Sequence, residues 1–441
     1  MQKLSLIILS IVILGCSQNV VPALQISDQR TEYMKNPLVV DEPQPRFTWI
    51  AQSIHRGVVQ DAYRLLVSSN REALAENSGD MWDTGKVESE RSVNVQYEGE
   101  PLESDQTYYW KVRIWANDTL QSDWSDPATL HTGLFAESDW QGEWIGTENS
   151  DISAPLMRNE FLVDKEIESA HAFISGLGYY ELYLNGEKVG DHVIDPGETE
   201  YSERVLYSTY DVTEMLQQDE NAVGIMLGNG QFHIEYVENR YNKASQRYPS
   251  PYGRPMALLQ LNIKFSDGTT QSIVTDDSWK VDAGPIVFNN FYGGEDYDAR
   301  REQPGWNSSG FDDSAWADVD IMDEPAMLDS QIMPPMKIIR TMAPILETQS
   351  GNVHMYDLGQ NIIGFPRIEA SAPEGTTIRI RCSETLNNEQ FPRLLEEGDS
   401  MSTMHDFHRD VWFDYTFKGE GTESYQPYFF FTGFRYIEVT V

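Results

Sequence analysis

Along most of this chain apolar and polar residues alternate one for one. Ala62-Tyr63-Arg64-Leu65-Leu66-Val67 and Tyr108-Tyr109-Trp110-Lys111-Val112-Arg113-Ile114-Trp115 are examples, each bounded by Gly, Pro, Asn, Asp or Ser. A period of two sends successive side chains to opposite faces of a sheet, so these segments predict half-buried strands. Helical spacing is confined to Arg71 to Glu76 and to Thr213 to Gln217, the latter with Asp211 before it as a cap. The pattern therefore predicts an all-β chain of three consecutive sandwich or jelly-roll domains.

The first unit is expected over residues 21–134, the length of a seven-strand sandwich of roughly 100 residues. Small and polar residues from Glu148 to Ala154 lead into a second unit over 150–322, where Phe265-Ser266-Asp267-Gly268-Thr269 reads as a turn between two strands. The Pro-containing stretch Asp323 to Pro335 opens a third unit, 335–441. No internal repeat marks a solenoid or propeller.

Residues 1–15 break the alternation. Lys3 precedes an apolar run from Leu4 to Leu14, interrupted only by serines, and Gly15-Cys16 follows. At about eleven residues the run is too short to span a bilayer, which needs ~20, and it reads as a signal peptide. Ile13-Leu14-Gly15-Cys16 resembles a lipobox, so Cys16 is the expected lipidation site. A plain secretory signal with an incidental cysteine is the alternative. Export is expected either way, with a lipid anchor in the outer membrane, on its periplasmic or outer side, as the only membrane contact. The other cysteine, Cys382, lies in the alternating run Thr377 to Cys382 and is read as a strand position without a disulfide partner.

Composition adds one exclusion. Acidic residues outnumber basic ones 70 to 32, a net charge of −38, and such a surface repels phosphate backbones. Nucleic acid is not an expected partner. No Gly-Xaa-Ser-Xaa-Gly elbow, phosphate-binding loop, His-Glu-Xaa-Xaa-His helix or regular calcium loop is present. His405-Asp406-Phe407-His408 with Asp410 has metal-binding residue types but no further ligand cluster, and reads as a surface loop.

The order of short motifs resembles a known family. In the first unit these are Asn36-Pro37-Leu38, Pro45-Arg46-Phe47-Thr48-Trp49, Gln60-Asp61-Ala62-Tyr63-Arg64 and Trp82-Asp83-Thr84-Gly85. In the second they are Gly176-Leu177-Gly178-Tyr179-Tyr180, Leu184-Asn185-Gly186, Thr209-Tyr210-Asp211-Val212-Thr213, Leu227-Gly228-Asn229-Gly230 and Gly294-Glu295-Asp296-Tyr297-Asp298-Ala299-Arg300. The third has Tyr356-Asp357-Leu358-Gly359-Gln360-Asn361 and Thr432-Gly433-Phe434-Arg435-Tyr436. Together they resemble the amino-terminal modules of bacterial α-L-rhamnosidases of glycoside hydrolase family 78: a fibronectin-like sandwich, a carbohydrate-binding jelly roll and a concanavalin-like sandwich. Family members continue into an (α/α)6 barrel holding the general acid and base, and that barrel is absent from this sequence. The resemblance therefore implies a lipoprotein that binds rhamnose-containing oligo- or polysaccharide for degradation by partner hydrolases, with no catalytic residue of its own. Two alternatives stay open: the front part of an active α-L-rhamnosidase, and an interaction module without sugar affinity.

Sugar recognition needs aromatic faces and hydrogen-bonding side chains, and calcium can bridge vicinal hydroxyls. Loops of the second unit supply Glu198, Tyr201, Asn229, Gln231 and Phe232 as candidate sugar-binding residues, and Asp195 and Asn229 as candidate calcium ligands. Gly228-Asn229-Gly230 also suits a tight turn. The family commonly carries Trp where Glu198 and Gln231 stand here. Tyr179, Tyr180 and Tyr183 alternate with a strand and are assigned to the core. The charges of Glu295 to Arg301 are expected to pair locally.

Overall fold

A computed structural model describes residues 23–117, 119–234, 240, 252–323, 327–387, 389, 391, 393–401 and 411–441. Cys16 and the His405 to Asp410 stretch lie outside the described residues. Strand accounts for 47% of the structure and helix for 4%, so the all-β expectation holds. The chain divides into two compact units: residues up to Pro37 with Pro43–Leu102 and Thr107–His131, and Leu38–Glu42 with Glu103–Gln106 and Thr132–Val441.

In the first unit Leu24–Thr31, Arg46–Ser53 and Val95–Gln96 form one sheet. The other places Trp82–Asp83, Gln60–Ser68, Thr107–Ala116 and Leu120–Gln121 in order, with Val87–Glu88 and Ala128–His131 attached. Alternation drives Phe47, Trp49, Leu65, Val67, Trp110 and Val112 inward. The Phe47 and Trp110 rings lie 4.8 Å apart. The indole N–H of buried Trp49 donates to Gln60 Oε1 at 3.0 Å, which satisfies a donor that would otherwise be costly. The predicted helix is Arg71–Ala75, capped where the Asn70 side chain accepts from Ala73 N.

The second unit holds two further sandwiches. The jelly roll packs a sheet ordered Asp320–Ile321, Ile145–Gly146, Met256–Phe265, Ile167–Leu177, Arg204–Asp211 and Met327–Ser330 against one ordered Glu187–Lys188, Tyr179–Leu184, Asp219–Gly228, Pro155–Val163, Lys280–Ala283 and Ala317–Asp318. Ile174, Ile225, Leu259, Ile263 and Trp279 form its core. The last sandwich is built on a seven-stranded sheet: Ile286–Asn290, Gly294–Asp298, Trp412–Thr416, Thr377–Ser383, Thr432–Thr440, Val353–Gly364 and Leu346–Ser350. Cys382 is buried on its strand, and burial pushes its thiol pKa up, consistent with an inert core position.

The boundaries expected at 322 and 335 do not follow the sheets. Met327–Ser330 pairs in parallel with Arg204–Tyr207, extending the jelly roll beyond 322. The hairpin Ile286–Asp298 leaves the jelly roll and pairs in parallel with Trp412–Thr416. The physical reason is the inward face of Gly294–Asp298: Tyr297 lies 5.7 Å from Tyr415 and 5.2 Å from Tyr425, inside the last core.

Candidate functional site

The loop after Tyr179–Leu184 is fixed by Asp195. Its Oδ2 accepts from the Tyr180 hydroxyl at 2.6 Å and the Ser208 hydroxyl at 2.6 Å, and lies 3.2 Å from His192 Nδ1. Its Oδ1 accepts from Gln331 Nε2 at 2.8 Å, and Gln331 Oε1 in turn accepts from Gly197 N at 2.6 Å. Burial alone would raise this carboxyl, but hydrogen bonds from His192, Ser208 and Tyr180 outweigh it and leave the pKa below the usual range. Asp195 is thus an ionised hub that ties residues 192–198 to two strands.

Glu198, three residues on, has a different setting. The Tyr179 hydroxyl donates to its Oε1 at 2.6 Å, and the Gln231 amide donates to its Oε2. Although the residue is exposed overall, desolvation around its carboxyl pushes the pKa up against those two bonds. The Tyr179 hydroxyl is itself raised well above its ordinary value by burial and by the Glu198 charge, so it stays a proton donor. Beside this pair opens a cavity of about 250 Å³ lined by apolar groups, among them Ile194, Pro196, Phe291, Met333, Met336 and Phe431, and by the polar groups of Asp195, Glu198 and Gln331.

Asn229 sits elsewhere. Its backbone N–H donates to Asn289 Oδ1 at 2.6 Å and its Nδ2 donates to Asn289 O at 2.8 Å. It lines a second, more polar cavity of about 160 Å³ together with Ser153, His233, Arg254 and Phe288. The turn it occupies is close-packed: a Cβ on Gly178 would come 2.1 Å from Gly228 O, and Gly178 has φ +100°, so glycine is required there.

Of the predicted residues, Glu198 and Asp195 line the first cavity, and Gln231 reaches it only through its hydrogen bond to Glu198. Tyr201 and Phe232 do not offer free faces. Both are buried, with ring centroids 5.4 Å apart in an edge-on contact, in a cluster with Trp144, Leu177 and Met256. Aromatic rings in a half-apolar loop fill a core as readily as they stack on sugar, and here the core wins. Asp195 and Asn229 line separate cavities, and both carboxylate oxygens of Asp195 already accept protein donors. Calcium takes six to eight oxygen ligands, so this pair does not suit it. Tyr179, Tyr180 and Tyr183 are core residues as expected, although the Tyr179 hydroxyl also reaches the site. Phe291, Gln331, Met333 and Phe431 were not predicted.

The Glu295 to Arg301 charges pair in part locally. Arg300 donates to both oxygens of Asp298 at 2.8 Å, whereas Asp296 binds the distant Arg240. Glu295 is fully buried and accepts from the Tyr425 hydroxyl and from the backbone N–H groups of Tyr428 and Phe429.

Three family descriptions match in tandem: "Rha78A-like, N-terminal immunoglobulin domain" over residues 26–136, "Alpha-L-rhamnosidase N-terminal domain" over 165–340, and "Bacterial alpha-L-rhamnosidase concanavalin-like domain" over 347–441. The chain belongs to the α-L-rhamnosidase family, as its amino-terminal module region. An α-L-rhamnosidase of Formosa agariphila is 34% identical over 99% of this chain and 48% of its own length. The solved α-L-rhamnosidase of Dictyoglumus thermophilum superposes with a TM-score of 0.85 at 37% identity, covering 94% of this chain and 46% of that one. That of Streptomyces avermitilis, solved with L-rhamnose, gives 0.84 at 26% identity over 95% and 56%. This chain thus spans about half the length of the α-L-rhamnosidases it matches.

Proposed function

We propose that this chain recognises the terminal rhamnosyl group of rhamnose-containing glycosides, on an exported protein anchored through lipid on Cys16, and that partner hydrolases use the glycan it holds. The observation that carries this reading is the first cavity. Rhamnose is a 6-deoxy sugar with a methyl group on one edge and vicinal hydroxyls on the other. The cavity combines methionine, proline and phenylalanine lining with the carboxylate of Glu198, which Tyr179 and Gln231 hold in place.

The carboxylates favour a reading of binding over one of hydrolysis. Inverting hydrolysis needs two facing carboxyl groups, roughly 6.5–9.5 Å apart, one to protonate and one to activate water. Among the described residues Asp195 and Glu198 are the only carboxylates lining this cavity, and Asp195 is engaged on both oxygens. A second reading, the front half of an α-L-rhamnosidase whose chemistry lies in further sequence, is favoured by the half-length match to the Formosa relative. Release of p-nitrophenol from p-nitrophenyl α-L-rhamnoside by the purified chain would decide for activity in these modules.

Calorimetry tests the binding. L-rhamnose should bind at millimolar concentration, L-mannose on the order of 10-fold more weakly because its extra hydroxyl meets the apolar wall, and chelation of calcium should leave both unchanged. No heat with L-rhamnose, or none lost in Glu198→Ala, would remove the reading.

A further inference from the structure

The first unit carries a cationic cluster that rhamnose recognition does not use. Residues 122–125 run along the edge of Thr107–Ala116 and complete its ladder partly with side chains. Ser122 N donates to Ile114 O at 3.0 Å and Ser125 N to Val112 O at 2.9 Å. In return Ile114 N donates to Ser122 Oγ at 3.0 Å and Val112 N to Ser125 Oγ at 3.1 Å. This pins Trp124 over the sheet face that carries Arg64, Lys111 and Arg113, whose charged groups lie 5.8, 5.2 and 4.6 Å from the indole centroid.

Three cations on one ring are unusual in a chain of net charge −38. Strand register sets Arg64 directly opposite Arg113, a like-charge pair that a sheet normally avoids. Among the described residues only Arg64 is neutralised, by Asp83 at 2.9 and 2.6 Å. Lys111 is 5% exposed, and among the described residues its ammonium has no hydrogen-bond acceptor or carboxylate. Arg113 Nε is likewise buried without an acceptor. The indole quadrupole offsets part of this charge but supplies no hydrogen-bond acceptor. Burial, and then the charge of Arg113, hold the Lys111 pKa below the usual lysine value.

We propose that Lys111 and Arg113, beneath Trp124, form an oxyanion-binding site that takes a sulfate or carboxylate group, free in solution or carried on a glycan. A planar guanidinium beside a point-charge ammonium suits a small multidentate oxyanion, and Arg64–Asp83 borders the site. The site lies in a different unit from the rhamnose cavity and does not rest on that reading.

The test uses the full chain at constant ionic strength, with thermal unfolding and calorimetry followed against millimolar sodium sulfate, glucose 6-sulfate and sodium glucuronate, and sodium chloride as reference. Saturable stabilisation by at least one of the three is expected. Tighter binding of a sugar-borne group than of sulfate assigns the ligand to a glycan, and equal binding assigns it to the free anion. Lys111→Met should abolish saturation. Arg113→Gln should weaken binding about tenfold or more, and Lys111→Arg should retain it. Lack of saturation with all three probes, or unchanged affinity in both Lys111→Met and Arg113→Gln, would overturn the proposal, while L-rhamnose binding would stand or fall separately.

Discussion

Single buried charges give the most direct tests of the fold. Asp357 is fully buried and accepts from Arg435 Nε at 2.8 Å and Nη2 at 3.0 Å, and from the N–H groups of Gly359 and Leu395. Burial alone would raise its pKa, but these bonds, led by Arg435, hold it below the carboxylate range. Arg435→Leu leaves that charge unpaired and should cost ~3–5 kcal/mol in urea unfolding at neutral pH. A depressed carboxyl lends stability above its unfolded pKa of about 3.9 and loses it as the pH falls through the folded value, so the penalty should shrink below pH 4. Glu295 is the opposite case. Burial lifts it to about 7 despite three donors, so between its unfolded value near 4.5 and pH 7 the folded state binds the extra proton. Stability from this site is therefore full below about pH 4.5 and lost as pH rises to 7. Glu295→Gln should flatten the melting temperature across that interval, and an unchanged slope would show that another group titrates there. Asp195 and Glu198 could be singled out from the Asp-Pro-Gly-Glu run because polar residues cluster in a loop after a strand. Their divergent roles could not, since Tyr180, Ser208 and Gln331 reach Asp195 from separate parts of the chain. The failure at Tyr201 and Phe232 has the same origin: the ring that stacks on a sugar is the ring that fills a core.

Strand periodicity was readable wherever one face is buried, as in Gln60–Ser68 and Thr107–Ala116, because a slip of one residue would turn the apolar set outward. Strand partnership was not. Asp414 N donates to Asp296 Oδ1 across 118 residues, and nothing in the local pattern of either strand names the other. The cavity is hidden for the same reason, since Phe291, Met333 and Phe431 come from three distant segments. Tyr179, which lines it, directly follows the close approach of Gly178 to Gly228. Alanine at Gly178 would combine a left-handed backbone with a clash against a carbonyl oxygen, costing on the order of 3 kcal/mol. Because Tyr179 is the next residue and holds Glu198, Gly178→Ala should also weaken L-rhamnose binding more than its stability loss explains. Calorimetry on the fraction that remains folded would show this, and full affinity there would separate the turn from the site.

At the scale of the whole chain, the excess of acids sets a response that no single contact does. A net charge of −38 makes the folded surface repel itself, and unfolding relieves that by spreading the charges apart. Salt opposes the effect: the Debye length falls from about 30 Å at 0.01 M to ~10 Å at 0.1 M and ~3 Å at 1 M. Screening also weakens exposed ion pairs such as Lys264–Glu168 and Lys280–Asp318, but exposed pairs contribute little to stability, whereas the excess of acids repels over the whole surface. The melting temperature at pH 7.5 should therefore rise as sodium chloride goes from low to physiological concentration. Near the isoelectric point of about 4.4 the net charge vanishes, and the rise should vanish with it. A rise of equal size at both values would assign the stabilisation to a general effect of salt on apolar burial, whereas a fall at pH 7.5 would mean that the ion pairs outweigh the repulsion.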